Sequence, residues 1–177
     1  MNKSQKINTY KLTLIALLAA LSVVGRITFS FIPNVQPVTA IIIICGIFLG
    51  PIAAITLSVL TTFLTNMILG MGIWTIWQII AWALIGLTSG LIGKYRKKHS
   101  IFLLTVYAVC CGYFYGLILS LNSFTISGDF LPYYLAGLPF DTAHAIGNGI
   151  FIVLLYPIIS FFFKKYASKR FTLQNTN

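Results

Sequence analysis

Long apolar runs, broken by short polar segments, determine what this chain can fold into. Of its 177 residues, 58% are apolar and 8% are charged, whereas about 25% of the residues in a soluble domain are charged. A helix of about 20 apolar residues crosses the hydrocarbon core of a bilayer. The sequence therefore predicts an integral membrane protein, with no room for a separate soluble domain.

Basic residues fall into short clusters beside the apolar runs, a pattern that marks the cytoplasmic side of a membrane. An even number of spans must then separate one cluster from the next. The net charge of +10 is read as a topology signal, so no nucleic-acid partner is predicted. The clusters are Lys3, Lys6 and Lys11; Lys94, Arg96, Lys97 and Lys98; and Lys164, Lys165, Lys169 and Arg170.

The run from Val38 to Leu69 must cross the membrane twice to satisfy this parity. Gly50-Pro51 lies near its centre, and proline disfavours a helical residue before it. The first pass, 38–49, is about 18 Å long, which is short of the roughly 30 Å hydrocarbon core. We expect it to be tilted, extended by irregular backbone, or sheltered inside the bundle.

The predicted fold is an all-α membrane protein of six transmembrane helices, with a short or broken second helix and both termini cytoplasmic. It forms a single transmembrane domain, 1–177. The predicted spans are 12–32, 38–49, 52–69, 76–93, 101–121 and 143–163. Three segments then face outward, at 33–37, 70–74 and 122–140, and we expect them to form a lid over the bundle.

Ionisable side chains inside the spans are candidate site residues, because each costs about 2.5–3.5 kcal/mol at a helix centre. Arg26 lies toward the predicted outer end, where it either snorkels or contacts an anionic group or Asp141. Asp141 either caps the last helix or belongs to a site. His144 and Asn148 share one helix face and bind either neighbouring helices or a ligand.

Amide and aromatic side chains recur at the predicted outer ends. We interpret them as a cavity in which a ring system stacks on tryptophan while amides orient it. An aromatic belt at the membrane interface is the alternative for the tryptophans. The candidate ligand contacts are Asn34, Gln36, Asn66, Trp74, Trp77, Gln78, Tyr133 and Tyr134, together with Trp82 as part of the wall.

Several kinds of chemistry have no signature in the sequence. No G-x-x-x-x-G-K-[ST] loop, G-x-S-x-G or H-E-x-x-H motif occurs, so we predict no catalytic residue, no metal site and no cofactor of the chain's own. The pair Asp141 and His144 leaves open a small intramembrane enzyme. A scaffold that holds other helices is a further alternative.

Small residues recur at four-residue spacing on several helices, which lets helix backbones approach closely. Internal packing explains most of these pairs. Ala16 and Ala20 differ, because they lie in the inner half of the first span, where a partner can dock. The other pairs are Gly86 and Gly90, Gly112 and Gly116, and Ala145 and Gly149.

These features together resemble a family. The chain length, Ala16-x-x-x-Ala20, the break at Gly50-Pro51 and Trp74-Thr-Ile-Trp77-Gln78 are similar to substrate-binding S components of energy-coupling factor (ECF) vitamin transporters. The resemblance implies a subunit of a prokaryotic plasma membrane, surrounded by lipid, that captures a vitamin outside and topples to release it inward. Its partners would be an EcfT-like transmembrane coupling protein, which Ala16 and Ala20 contact, and two ATP-binding cassette ATPases.

Within the family, two stretches are similar to members assigned to cobalamin. They are Pro33-Asn-Val-Gln-Pro37 and Phe140-Asp-Thr-Ala-His144-Ala-Ile-Gly-Asn148. The resemblance implies a bound corrinoid as transported substrate, with His144 near the cobalt or a side-chain amide. Pantothenate and pyridoxine-type or queuosine-type molecules are the alternative substrates.

Overall fold

The computed structural model describes residues 9–95 and 100–167, and over these ranges it consists of six helices followed by a π-helical turn, Phe163–Ala167. Five of the helices are long and apolar enough to cross a membrane, and α2 is shorter. The predicted all-α fold with a short second helix is confirmed. The helices are α1 (Thr9–Thr28), α2 (Val38–Leu49), α3 (Pro51–Leu69), α4 (Trp74–Tyr95), α5 (Ile101–Ser127) and α6 (Leu131–Phe162).

The cytoplasmic location of the termini stays a prediction. It depends on the basic clusters, and only Lys11, Lys94, Lys164 and Lys165 of those clusters belong to the described ranges. Their other members lie outside the described residues: Lys3, Lys6, Arg96, Lys97, Lys98, Lys169 and Arg170.

Helix α2 is the centre of the bundle. Every residue from Val38 to Leu49 is buried, and the helix packs against α1, α3, α4, α5 and α6. A helix that is apolar on all sides is stable only where other elements surround it. Of the three expectations for this short pass, shelter inside the bundle is therefore the one that the structure shows.

The break between α2 and α3 follows from the local sequence. Gly50 has φ of 94°, a conformation that glycine adopts without steric cost, and Pro51 occupies the start of α3. The Lys11 ammonium donates a hydrogen bond to the Leu49 carbonyl at 3.2 Å. Lys11 thus satisfies one of the free carbonyls at the end of α2 and ties it to α1.

Close backbone contacts explain the small residues on α4 and α5. A Cβ atom on Gly90 would meet the backbone of Pro51, and one on Gly112 would meet the backbone of Ala145. Glycine at these positions lets α4 reach the α2–α3 junction and α5 reach α6. The internal-packing interpretation of these pairs is confirmed.

Gly90→Leu is expected to lower the free energy of unfolding by about 1–3 kcal/mol or more, because the new side chain overlaps the Pro51 backbone. Denaturation in detergent micelles measures the change. Gly137→Ala is the control for a glycine replacement at an open position, since its Cβ would meet only Asp141 Oδ2, at 3.8 Å, an ordinary contact distance. Equal stability of Gly90→Leu and the wild type would contradict this packing.

The predicted outer segment 122–140 is not a loop, and this prediction was wrong. Helix α5 continues to Ser127 and α6 begins at Leu131, so the connection is a short turn. Gly128, with φ of 79°, ends α5 through its N–H bond to the Phe124 carbonyl. Pro132 in the first turn of α6 supplies the matching start signal.

Candidate functional site

A chain of hydrogen bonds crosses the bundle through four separate elements. The Trp82 indole on α4 donates to the Thr39 hydroxyl on α2 at 3.0 Å. That hydroxyl lies 3.2 Å from Nε2 of His144 on α6. Nδ1 of His144 lies 2.8 Å from the backbone carbonyl of Asn34, in the α1–α2 connection. We call these four residues the polar relay.

The directions of these bonds follow from the two ends of the relay. A carbonyl oxygen only accepts and an indole N–H only donates. Nδ1 of His144 must therefore carry its proton, and the Thr39 hydroxyl, which accepts from Trp82, donates to Nε2. The network thus assigns a neutral imidazole with both ring nitrogens engaged. His144 holds the α1–α2 connection, including Asn34 with its φ of 58°, against the bundle.

Arg26 anchors a second polar group beside the relay. Its guanidinium donates to the Thr65 hydroxyl at 2.6 Å and lies 3.5 Å from Oε1 of Gln78. It also lies over the ring of Trp82, 5.1 Å from the centroid. Gln78 is fixed in turn by the Asn66 amide, which donates to the same oxygen at 2.8 Å. The contact between Arg26 and Asp141 that the sequence left open does not form.

Tyr115 completes an aromatic row that sequence reasoning missed. Its ring centroid lies 4.8 Å from that of Trp82 and 5.0 Å from that of His144. Tyr115 precedes Gly116 and follows Gly112 by three residues, so it lies on the packing face of α5. That spacing is the signal that points to it. The row joins the relay to the pocket described next.

A cavity of about 160 Å³ lies where these groups meet. Its polar lining comes from α1, the α1–α2 connection, α4 and α5, and the connection supplies more than half of all its lining residues. Of the predicted ligand contacts, Arg26, Asn34, Gln36 and Gln78 are brought together here. The full lining is Arg26, Phe29, Ser30, Ile32, Asn34, Val35, Gln36, Leu69, Gln78 and Tyr115.

Comparison with known proteins decides the family. The family model described as "ECF transporter, substrate-specific component" matches residues 10–167. This chain belongs to the substrate-specific (S) components of ECF transporters. No solved structure gives a significant match. The family consists of transporter substrate-binding subunits, so the S component is a multi-pass membrane protein and not an enzyme.

Other predicted contacts of the S component do not belong to the cavity lining. Asn66 is buried and its amide donates to Gln78, and Asn148 is buried with its amide 3.4 Å from the Ala108 carbonyl. Trp74 and Tyr133 are exposed, whereas Trp77 and Tyr134 are partly buried. Tyr134 stacks on Phe130. None of these six side chains lines the 160 Å³ cavity, and their roles in binding stay predictions.

Asp141 is neither a helix cap nor a partner of His144. It lies ten residues inside α6, because that helix begins at Leu131 and not near Asp141 as expected. Its carboxylate occupies the space that a side chain on Gly116 would fill, and its Oδ2 has no hydrogen-bond partner among the described residues. The acid–base pair that an intramembrane enzyme would need is therefore not assembled.

A larger groove of about 590 Å³ lies between the first half of α1 and the end of α6. Its lining is almost wholly apolar, with Leu14, Leu17, Ile159 and Phe162 among its residues. Such a surface suits lipid chains or the helices of another subunit, while a polar ligand needs convergent polar groups. The smaller cavity is therefore the candidate ligand site of this S component.

Proposed function

We propose that this S component captures a vitamin outside a prokaryotic plasma membrane and delivers it inward with an EcfT-like coupling protein and two ATP-binding cassette ATPases. ECF S components associate in general with such subunits. The observation that carries the proposal is the polar cavity inside an otherwise apolar bundle. It combines one cation, three amide side chains and a tyrosine, which is the mixture of groups that orients a small polar ligand.

We propose cobalamin as the vitamin, on the strength of the stretches 33–37 and 140–148. Two conditions follow from the geometry. Ligand pockets are usually about 300–1,000 Å³, so a corrinoid must displace part of the lining of the 160 Å³ cavity, to which the segment 29–36 contributes most residues. His144 already uses both ring nitrogens, so the corrinoid binds through its periphery unless the relay opens.

Chemical analysis of the purified chain tests this proposal. We expect mass spectrometry of the small molecules released on denaturation to show one vitamin per chain, and an absorbance scan to show a corrinoid. Pantothenate or a pyridoxine-type or queuosine-type molecule in its place would keep the transport role and correct the substrate. A chain that carries no ligand and binds none of these vitamins would contradict the proposal.

A further inference from the structure

Arg26 is a cation held inside the bundle without a counter-ion. The chain has only two acidic residues, Asp129 and Asp141, and both are described. The guanidinium contacts the Thr65 hydroxyl, the Gln78 amide oxygen and the Trp82 ring, all of which are neutral. Among the described residues no carboxylate forms an ion pair with it.

The surrounding groups fix the guanidinium of Arg26 but do not use all of its N–H donors. Arginine has five N–H donors in a planar fork, and the two hydrogen bonds use two of them. Its two acceptors are held in place by further hydrogen bonds. The Thr65 hydroxyl donates to the Thr61 carbonyl at 2.7 Å, and the Gln78 side-chain oxygen accepts from the Asn66 amide. The fork is therefore preorganised by α3 and α4, at a position that lines the cavity.

A structural role alone does not account for an arginine at this place. A neutral polar side chain could join α1 to Thr65 and Gln78 without the cost of an ionised group in the membrane. Arginine is the residue that binds carboxylate or phosphate with two parallel hydrogen bonds. The helix dipole favours a cation in the last turn of α1, where Arg26 lies, but it is satisfied equally by lysine, whereas two parallel hydrogen bonds to an anionic group require arginine.

We infer that Arg26 binds an anionic group of the transported ligand, a carboxylate or a phosphate. The remaining polar groups of the cavity, such as Ser30, Gln36 and Tyr115, are neutral and suit the uncharged part of the same molecule. This inference rests on the proposed function. The anionic group has two sources, the phosphodiester of a corrinoid nucleotide or the carboxylate of a smaller vitamin.

The test compares pairs of ligands on the full chain in detergent, and in each pair the anionic member is the one that carries a phosphodiester or a carboxylate. The probes are cyanocobalamin against dicyanocobinamide, which lacks the nucleotide together with its phosphodiester, and pantothenate against panthenol, which has an alcohol in place of the carboxylate. Because the first pair differs by more than the anionic group, its preference counts only where Arg26→Gln abolishes it. Titration calorimetry is expected to show that the wild type binds the anionic member of one pair about 10- to 100-fold more tightly. The pair that shows this preference identifies the source.

Variants of Arg26 make the assignment specific. Arg26→Gln is expected to reduce the preference to about threefold or less, and Arg26→Lys to retain part of it, because lysine keeps the charge and loses the fork. Lys94→Gln removes one positive charge at the far end of α4 and is expected to change nothing. Thermal unfolding of each variant shows whether the fold is kept.

Two outcomes overturn the inference alone: equal binding of both members of each pair by the wild type, or an anion preference that Arg26→Gln leaves intact. Either outcome leaves the vitamin-binding role in place. Failure of all four probes to bind the wild type overturns this inference for both sources of the anion and overturns cobalamin as the substrate; failure of pyridoxine-type and queuosine-type ligands as well overturns the vitamin-binding role.

Discussion

Uptake is expected to fall by at least about 50-fold when Ala16 and Ala20 are both replaced by tryptophan, because small residues set how closely two membrane helices approach. Both alanines are exposed on α1, whereas their neighbours Ile15 and Ala19 are buried. The bundle therefore tolerates the larger side chains. Neither residue lines the ligand cavity, so ligand affinity is expected to stay within about twofold of the wild type.

Transport of a labelled vitamin in cells or vesicles with the coupling subunits measures the first effect, and calorimetry measures the second. The matched control is the double variant Ile150→Trp and Leu154→Trp, which has the same four-residue spacing on α6. Both residues are more than half exposed. Normal uptake by the alanine variant, or equal loss in the control, would contradict a docking face on α1.

The helical architecture was accessible from the sequence because its signals are local. Gly50-Pro51 ended one helix and began the next, and charge parity required two passes there. The length of α2 showed that its 12 residues do not cross a bilayer alone, and shelter inside the bundle was one of the three expectations that this length left open. Each of these arguments uses neighbouring residues and the thickness of the membrane, and the structure agrees on the helices they predict.

The segment 122–140 was misread because its composition is typical of loops. Its Gly, Pro, Asn and aromatic residues suggested irregular backbone, yet residues 122–127 belong to α5, where two of the four polar side chains, those of Thr125 and Ser127, are hydrogen-bonded locally. Thr125 and Ser127 donate to carbonyls within the same helix, so polar composition costs the helix little. Gly128, which adopts a left-handed conformation, marks the end of α5, and Pro132 marks the start of α6.

The site was only partly predictable. Arg26, Asn34, Gln36 and Gln78 were found as polar residues at the predicted outer end, and they do meet in one cavity. Thr39, Thr65 and Tyr115 were missed, because each acts through a contact with a helix distant in the chain. A threonine in an apolar run has no local signal that separates an internal backbone bond from a role in a relay.

His144→Ala is expected to lower the free energy of unfolding by about 3–5 kcal/mol. The Asn34 carbonyl loses its donor and the Thr39 hydroxyl loses its acceptor, and a buried polar group left unsatisfied costs about 1–3 kcal/mol. The lost ring also leaves space beside Tyr115, which adds a cavity term. Denaturation in detergent micelles gives the change.

Two further variants separate the relay from simple loss of volume. His144→Asn keeps an amide donor near the position of Nδ1, so it is expected to lose about half as much stability as His144→Ala. Ile146→Ala removes a mostly exposed side chain from the same helix and is expected to stay within about 0.5 kcal/mol of the wild type. A His144→Ala variant no less stable than Ile146→Ala would show that the relay does not hold the bundle.

Ligand binding is expected to weaken along with stability in His144→Ala, and this links the relay to function. The Asn34 carbonyl that His144 holds belongs to the segment that supplies most of the cavity lining. Without that bond the segment samples more conformations, and the ligand must restore the order at the expense of affinity. His144→Asn is expected to recover part of the affinity as it recovers stability, because the same hydrogen bond supports both.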